Sequence, residues 1–307
     1  MRLLLLFLFC FYFIFPGVLL IFFLLILLLL LHLAHSKNVT IFFSDIAGFT
    51  TICEKMEPQN LLILLSEYFD AMQQIIGAHE SRGTLLEFIG DALLVVWNAP
   101  QDVPLHASIC VEQSIKMHEY LHQAEQSWTE RGYPLVKIRI GINTCKVFVG
   151  NLGSPVRMKY GVLGDGVNLA SRLEELNKRY NTKILMSDAT FKVGRVQELF
   201  TLRQLDQVAV KGKQEGTKIY ECLGRRDDTT DDEKLLVRKM SQSFHLYYER
   251  KFAEAEISFQ SVQRWFHEIR GYEDAAAKLL SERCARYVEN VPGEEWNGTE
   301  VLLQKHF

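Results

Sequence analysis

TLLEFIGDALLVVW, residues 84–97, holds two apolar runs, 84–89 and 92–97, split by Gly90-Asp91. A two-residue, glycine-containing connection between such runs signals a β-hairpin. On its N-terminal side, residues 58–80 open with Pro58 and place Leu61, Leu62, Leu65, Tyr68, Phe69, Met72, Ile75 and Ile76 at helical spacing. Residues 39–44 before them read as a buried strand. On its C-terminal side a helix is expected over residues 104–130, then strands at 135–143 and 146–150. Strand, helix, hairpin, helix, strand is a ferredoxin-like βαββαβ plan of the α/β (α+β) class, carrying an added hairpin. A third helix follows Gly164-Asp165-Gly166 to Tyr180, with further strands at 183–186, 199–205 and 218–223.

The 307 residues carry 34 Lys+Arg against 37 Asp+Glu, a formal net charge of −3. That balance offers no basic face for nucleic acid. None of the charges falls in residues 3–31. As a helix this block would be about 43 Å long against a hydrocarbon core of about 30 Å, so one tilted span is expected. Residues 1–36 therefore read as a transmembrane anchor, too long in its apolar part for a signal peptide. The six cysteines form no C-x-x-C pair and no tight spacing, so neither a zinc ribbon nor a disulfide scaffold is indicated, and the soluble part reads as reduced and intracellular. Residues 225–235, RRDDTTDDEK with its next residue, read as a charged linker. Beyond it, in residues 236–307, Phe244, Tyr247, Tyr248, Phe252, Ala255 and Phe259 have the spacing of a single tetratricopeptide-like hairpin. One such unit cannot bury its own face, so this tail is expected to pack on the preceding domain or on a protein partner. Asn297-Gly298-Thr299 is a formal glycosylation sequon.

Asp45 closes the first strand and is followed by Ile46-Ala47-Gly48-Phe49-Thr50, so a carboxylate and a run of main-chain N–H groups emerge together. That combination suits a metal held against phosphates, although an Asp there also suits a turn or helix cap. Asp91 sits on the hairpin tip beside that strand, where two carboxylates could share two Mg2+ ions or serve as simple turn formers. Asn168 and Arg172 are four apart and project from one helix face, where they can position a ribose and stabilise charge on a phosphoryl group, or simply be solvated. Lys211-Gly212-Lys213 offers a phosphate-seeking ammonium or a basic turn.

Phe43-Ser44-Asp45-Ile46-Ala47-Gly48-Phe49-Thr50, Phe88-Ile89-Gly90-Asp91, Arg139-Ile140-Gly141-Ile142-Asn143, Gly164-Asp165-Gly166-Val167-Asn168-Leu169-Ala170-Ser171-Arg172 and Val210-Lys211-Gly212-Lys213 occur in that order. Together they resemble the class III adenylyl/guanylyl cyclases, from about residue 39 to 223. The resemblance implies a catalytic domain over residues 37–224 and a head-to-tail homodimer with active sites built from both chains. It implies that Asp45, Asp91 and the Ile46 carbonyl hold two Mg2+, with Mn2+ able to substitute. It also implies that Phe49, Thr50, Arg139 and Lys211 contact the triphosphate, that Asn168 orients the ribose, and that Arg172 stabilises the transition state. The implied reaction turns a nucleoside triphosphate into its 3′,5′-cyclic nucleotide and pyrophosphate, with the domain facing the cytosol.

Two positions read the purine in that family, and they fall on Glu87 and Gly161. Adenylyl cyclases generally carry Lys and then Asp or Thr there, guanylyl cyclases Glu and commonly Cys. Glu87 can accept from guanine N1–H and the 2-amino group, which favours GTP; Gly161 reads nothing with a side chain. The alternatives are an adenylyl cyclase and a non-catalytic cyclase-homology binding module. Cys145-Lys146 departs from the family's Gly followed by an acidic residue, and implies a local change of turn.

Overall fold

The computed structural model describes residues 34–154, 156–210 and 216–302. The apolar block 3–31 and Lys211 lie outside them. Among the described residues no helix is long and apolar enough to cross a membrane. The described residues fall into two compact units, one of residues 38–147 with 164–302 and one of residues 34–37 with 148–163.

The chain runs through β1 (His35–Ile46), which enters the larger unit at Asn38, then α1 (Phe49–Lys55) and α2 (Pro58–Gly77), followed by the hairpin β2 (Thr84–Ile89) and β3 (Ala92–Trp97). Both hairpin strands keep the bounds read from the apolar runs, and Gly90 at φ 67° makes the turn that lets Ile89 pair with Ala92. α3 (His106–Glu130) leads into β4 (Ile138–Ser154), whose far end pairs with β5 (Arg157–Leu163) in the smaller unit. The two strands expected at 135–143 and 146–150 are thus one, and no turn interrupts the chain at Cys145-Lys146. The order β2-β3-β1-β4 is that of the ferredoxin-like plan.

The sheet continues through α4 (Asp165–Tyr180), β6 (Ile184–Ser187), the short α5 (Asp188–Lys192) and α6 (Val196–Leu199), β7 (Phe200–Val210) and β8 (Thr217–Arg225). β6 pairs with β4, then β8 and β7 follow outward. Strand alternation divides the residues between two faces. Phe42, Leu93, Val95, Trp97, Ile138, Ile140 and Ile142 form one apolar core with Tyr68, Met72, Val111 and Met117 of α2 and α3. Leu173, Leu176 and Tyr180 of α4 pack with Leu185, Leu205 and Ile219 in another.

The C-terminal region differs from the expected hairpin. It contains three helices, α7 (Asp231–Tyr248), α8 (Phe252–Arg270) and α9 (Ala275–Glu289), and a strand β9 (Glu300–Leu302) that joins the sheet parallel to β7. Their shared core includes Leu236, Phe244, Phe259, Phe266, Leu280 and Cys284. The charged stretch 225–235, though largely exposed, is not only a linker. Arg225 ends β8 and forks onto Glu112 at 2.7 Å and onto Glu119 of α3. Thr230 and Glu233 form a reciprocal capping box that starts α7.

His118 of α3 has an Nε2 atom closed to solvent and without a partner, while the ring hydrogen-bonds the Lys183 main chain. Burial, reinforced by the Lys183 charge, pushes its pKa down from 6.5 to about 4. Because the folded value lies below the unfolded one, the stabilisation is complete above pH 6.5 and is lost as pH falls towards 4. Urea titrations should therefore show wild-type stability falling by up to about 3 kcal/mol across that window through this group. His118→Gln should flatten the slope between pH 6.5 and 4; an unchanged slope would show that the ring titrates normally.

Candidate active site

The two acidic residues come together because of two tight turns. β1 delivers Asp45, and Gly48 at φ 72° turns the chain directly into α1. Phe49 and Thr50 occupy the first turn of α1, where main-chain N–H groups have no intrahelical acceptor. The hairpin tip delivers Asp91, whose Oδ2 accepts the Ile46 N–H at 3.1 Å. Burial, then a hydrogen bond and repulsion from Asp45, push the Asp91 carboxyl up to about 6. Two carboxylates forced into such proximity, beside the main chain of Ile46, form an oxygen-only set suited to hard divalent cations such as Mg2+ or Mn2+. Among the described residues no group of three His, Cys, Asp or Glu side chains converges, so this pair is the metal candidate.

β4 alternation builds the wall beside them. Ile138, Ile140 and Ile142 turn into the apolar core, which directs Arg139, Gly141 and Asn143 to the opposite face, where α4 lies. Arg139 donates from Nε to Glu174 of α4 at 2.8 Å and from Nη2 to Asp45 at 2.9 Å. Burial raises the Glu174 pKa to about 7, with Arg139 opposing that shift. At Gly141 a Cβ would stand 2.1 Å from the Ala170 carbonyl oxygen and 2.3 Å from the Glu174 nitrogen, so only hydrogen lets the helix lie this close. Asn143 donates to the Gly166 carbonyl at 3.0 Å, fixing the start of α4. Cys145 presses on the same turn: a Cβ on Gly166 would fall 2.0 Å from its Sγ. Asn177 donates to the Ile140 carbonyl at 2.9 Å and ties the helix further along.

The expected residues thus separate into groups. Asp45, Asp91, Ile46 and Arg139 are joined directly. Phe49 packs partly on the core and Thr50 is exposed beside them. Asn168 and Arg172 lie on α4, and neither makes a hydrogen bond or ion pair with Asp45 or Asp91. Glu87 is exposed on β2. The ladder slips between Leu85 and Glu87, a bulge that turns Glu87 away from the core face that Leu85 joins and Phe88 shares through Phe69. Gly161 pairs with Gly150 in the smaller unit, and a Cβ there would meet only Leu152 at 3.4 Å. Lys211 lies outside the described residues. Sequence reasoning missed Glu174 and Gly141, although Glu174 lies two residues beyond the quoted Gly164–Arg172 motif on the same expected helix and Gly141 sits inside a quoted motif.

Residues 31–222 match the family described as adenylate and guanylate cyclase catalytic domain. The chain belongs to this family. This cyclase domain is 36% identical over 200 residues to adenylate cyclase 1 of Rhizobium meliloti (strain 1021), covering 64% of the chain and 30% of that protein. It is 32% identical over 194 residues to guanylyl cyclase C of Cavia porcellus, covering 62% and 17% respectively. The chain thus spans about a third or less of these relatives. Among solved structures, the adenylyl cyclase CyaB from P. aeruginosa is 33% identical with a TM-score of 0.58, covering 64% of this chain and all of that one. The guanylate cyclase domain of RhGC from Catenaria anguillulae, in complex with GTP, is 29% identical with a TM-score of 0.53, covering 63% of this chain and all of that one.

Gly141→Ala should push α4 off β4. The expected cost is about 1–3 kcal/mol in urea stability from overpacking, and up to about 10²-fold in turnover from displaced side chains on α4. Wild-type turnover in a folded Gly141→Ala protein would show that the close approach carries no function.

Proposed function

We propose that this chain is a nucleotide cyclase that converts a nucleoside triphosphate to its 3′,5′-cyclic nucleotide and pyrophosphate, with GTP preferred over ATP. The observation that carries the reading is the pairing of Asp45 with Asp91 against the Ile46 main chain, with Arg139 held alongside. The 3′-hydroxyl gives its proton to solvent, an O3′–Pα bond forms, and the bond from Pα to the bridging oxygen breaks as pyrophosphate leaves with that electron pair. Divalent metal, when bound by Asp45, Asp91 and the Ile46 carbonyl, lowers the hydroxyl pKa and screens the triphosphate. Arg139 turns its Nη groups to the triphosphate while Glu174 holds Nε in place. The first-turn N–H groups of Phe49 and Thr50 donate to phosphate oxygens, and Lys211 adds its ammonium.

Asn168 and Arg172 lie on α4, a different element from the strand end and hairpin tip that carry the carboxylate pair, and in this reading the site is shared by two chains. β2 ends the sheet path and leaves Phe88 and Ile89 about half exposed (45% and 48%), an apolar edge that a second copy would cover. In that homodimer one chain supplies the carboxylates and its partner supplies Asn168 to the ribose and Arg172 to the developing charge.

The bulge at Glu87 supports its role as a base reader, since regular pairing would have directed it with Leu85 into the core. The carboxylate accepts two N–H groups from guanine, whereas adenine offers no such pair. With Gly161 contributing no side chain, discrimination is expected to be modest. Initial rates with GTP and ATP in Mg2+ or Mn2+ test both levels: product from either supports a cyclase, and none from a dimeric sample contradicts it. Glu87→Lys should move the GTP:ATP ratio towards ATP by about tenfold or more, the worth of a buried polar match. An unmoved ratio would place base selection elsewhere.

We further propose a single membrane span through residues 3–31 with the catalytic domain in the cytosol, where nucleoside triphosphates are found. Asn297 should then remain unglycosylated in cells; a glycan there would reverse the topology.

A further inference from the structure

The last residue of α4 is tied to the C-terminal helices through a buried carboxylate. The Tyr180 hydroxyl donates to Asp206 Oδ2 at 2.8 Å. Arg283 of α9 donates to the same oxygen from Nη2 and to Oδ1 from Nη1, each at 2.8 Å. Asp206 is fully buried and Arg283 nearly so, so neither charge is left to solvent. Three-residue spacing on a regular strand would point Arg203 and Asp206 to opposite faces. The ladder of β7 and β8 slips between Gln204 and Asp206, and that bulge turns both toward α9, where Arg203 pairs with Asp274 at the helix cap. A second tie runs from Arg179 to Glu300 of β9 at 3.2 Å. Ala276 and Leu279 of α9 pack with Leu173, Leu176 and Tyr180 of α4.

None of these residues belongs to the reaction just described, yet the Tyr180–Asp206–Arg283 and Arg179–Glu300 ties both join the C-terminal segment to the helix that carries Asn168 and Arg172. A helix transmits a tilt along its length, and Tyr180 lies about 12 Å from Arg172 along the axis. We propose that the C-terminal helices are a positioning clamp for α4, with Tyr180, Asp206 and Arg283 as positioning residues that set Asn168 and Arg172 for the transition state. This rests on the cyclase reading for its catalytic consequence, but the mechanical tie stands apart from it. Replacing Arg283 by an apolar side chain, with α9 still in place, would leave Asp206 a buried carboxylate facing α4 without its cation, a costly arrangement. The tail is therefore part of the catalytic apparatus, not an appendage to it.

Tyr180→Phe removes the hydroxyl and leaves the Asp206–Arg283 pair. Glu300→Gln weakens the second tie at a half-buried, fold-tolerant place. Both should be measured on the full chain for kcat, KM, Tm and amide hydrogen exchange over residues 165–180. Each is expected to lower kcat, Tyr180→Phe by about three- to tenfold, short of the roughly 10²-fold of a fully misplaced group. KM should stay close to wild type and Tm within a few degrees, while exchange on α4 accelerates. Arg283→Lys should recover part of the kcat lost in Arg283→Met. Full kcat with wild-type exchange in Tyr180→Phe would overturn the clamp, as would a kcat loss that only tracks the unfolded fraction. A wild-type chain that makes no cyclic nucleotide would count against the cyclase reading, and exchange on α4 would then decide the clamp alone.

Discussion

Arg139 holds two carboxylates on one guanidinium. Its Nε is fixed by Glu174 on the helix and its Nη2 by Asp45 at the end of the first strand, at 2.8 and 2.9 Å. Asp45 and Asp91 would otherwise face each other with little compensation; burial, then the neighbouring Asp45, still pushes the Asp91 carboxyl up. The guanidinium ties strand, helix and acidic pair into one body before substrate or metal arrives. It can do so because β4 alternates strictly, giving three isoleucines to the core and Arg139, Gly141 and Asn143 to α4.

Much of this was legible in the residues. The hairpin at 84–97 kept its bounds because Gly90 permits a positive φ between two apolar runs. The acidic pair was legible because strand ends and hairpin tips are the places where a carboxylate escapes the core. What escaped notice has specific physical causes. The bulges beside Glu87 and Asp206 reverse side-chain direction, and one extra residue in a ladder leaves no mark in a hydrophobic pattern. A helix pressed onto Gly141 looks, in sequence, like any apolar strand with a glycine.

The tail was misread for a different reason. Its charges suggested a linker at a domain boundary, but Thr230 to Glu233 spell a capping box, and Arg225 pairs with α3. The third helix was hidden because its stripe begins with small residues, Ala276 and Ala277, which carry little hydrophobic signal although they allow close packing on α4 and α8. The apparent boundary at 225 therefore crosses a continuous structure. Membership of the cyclase family covers residues 31–222, whereas the side-chain contacts made by α4 reach to Glu300.

The central claim is that the carboxylate pair and the Asn168/Arg172 pair act together only across two chains. Complementation tests it most directly. Asp91→Asn and Arg172→Ala chains, each prepared alone and then mixed under conditions that allow subunits to exchange, should each be inactive alone. The mixture should recover about a quarter of wild-type activity, since random pairing makes half the dimers mixed and each of those has one intact site of two. No recovery in a mixture shown to contain mixed dimers would contradict the account.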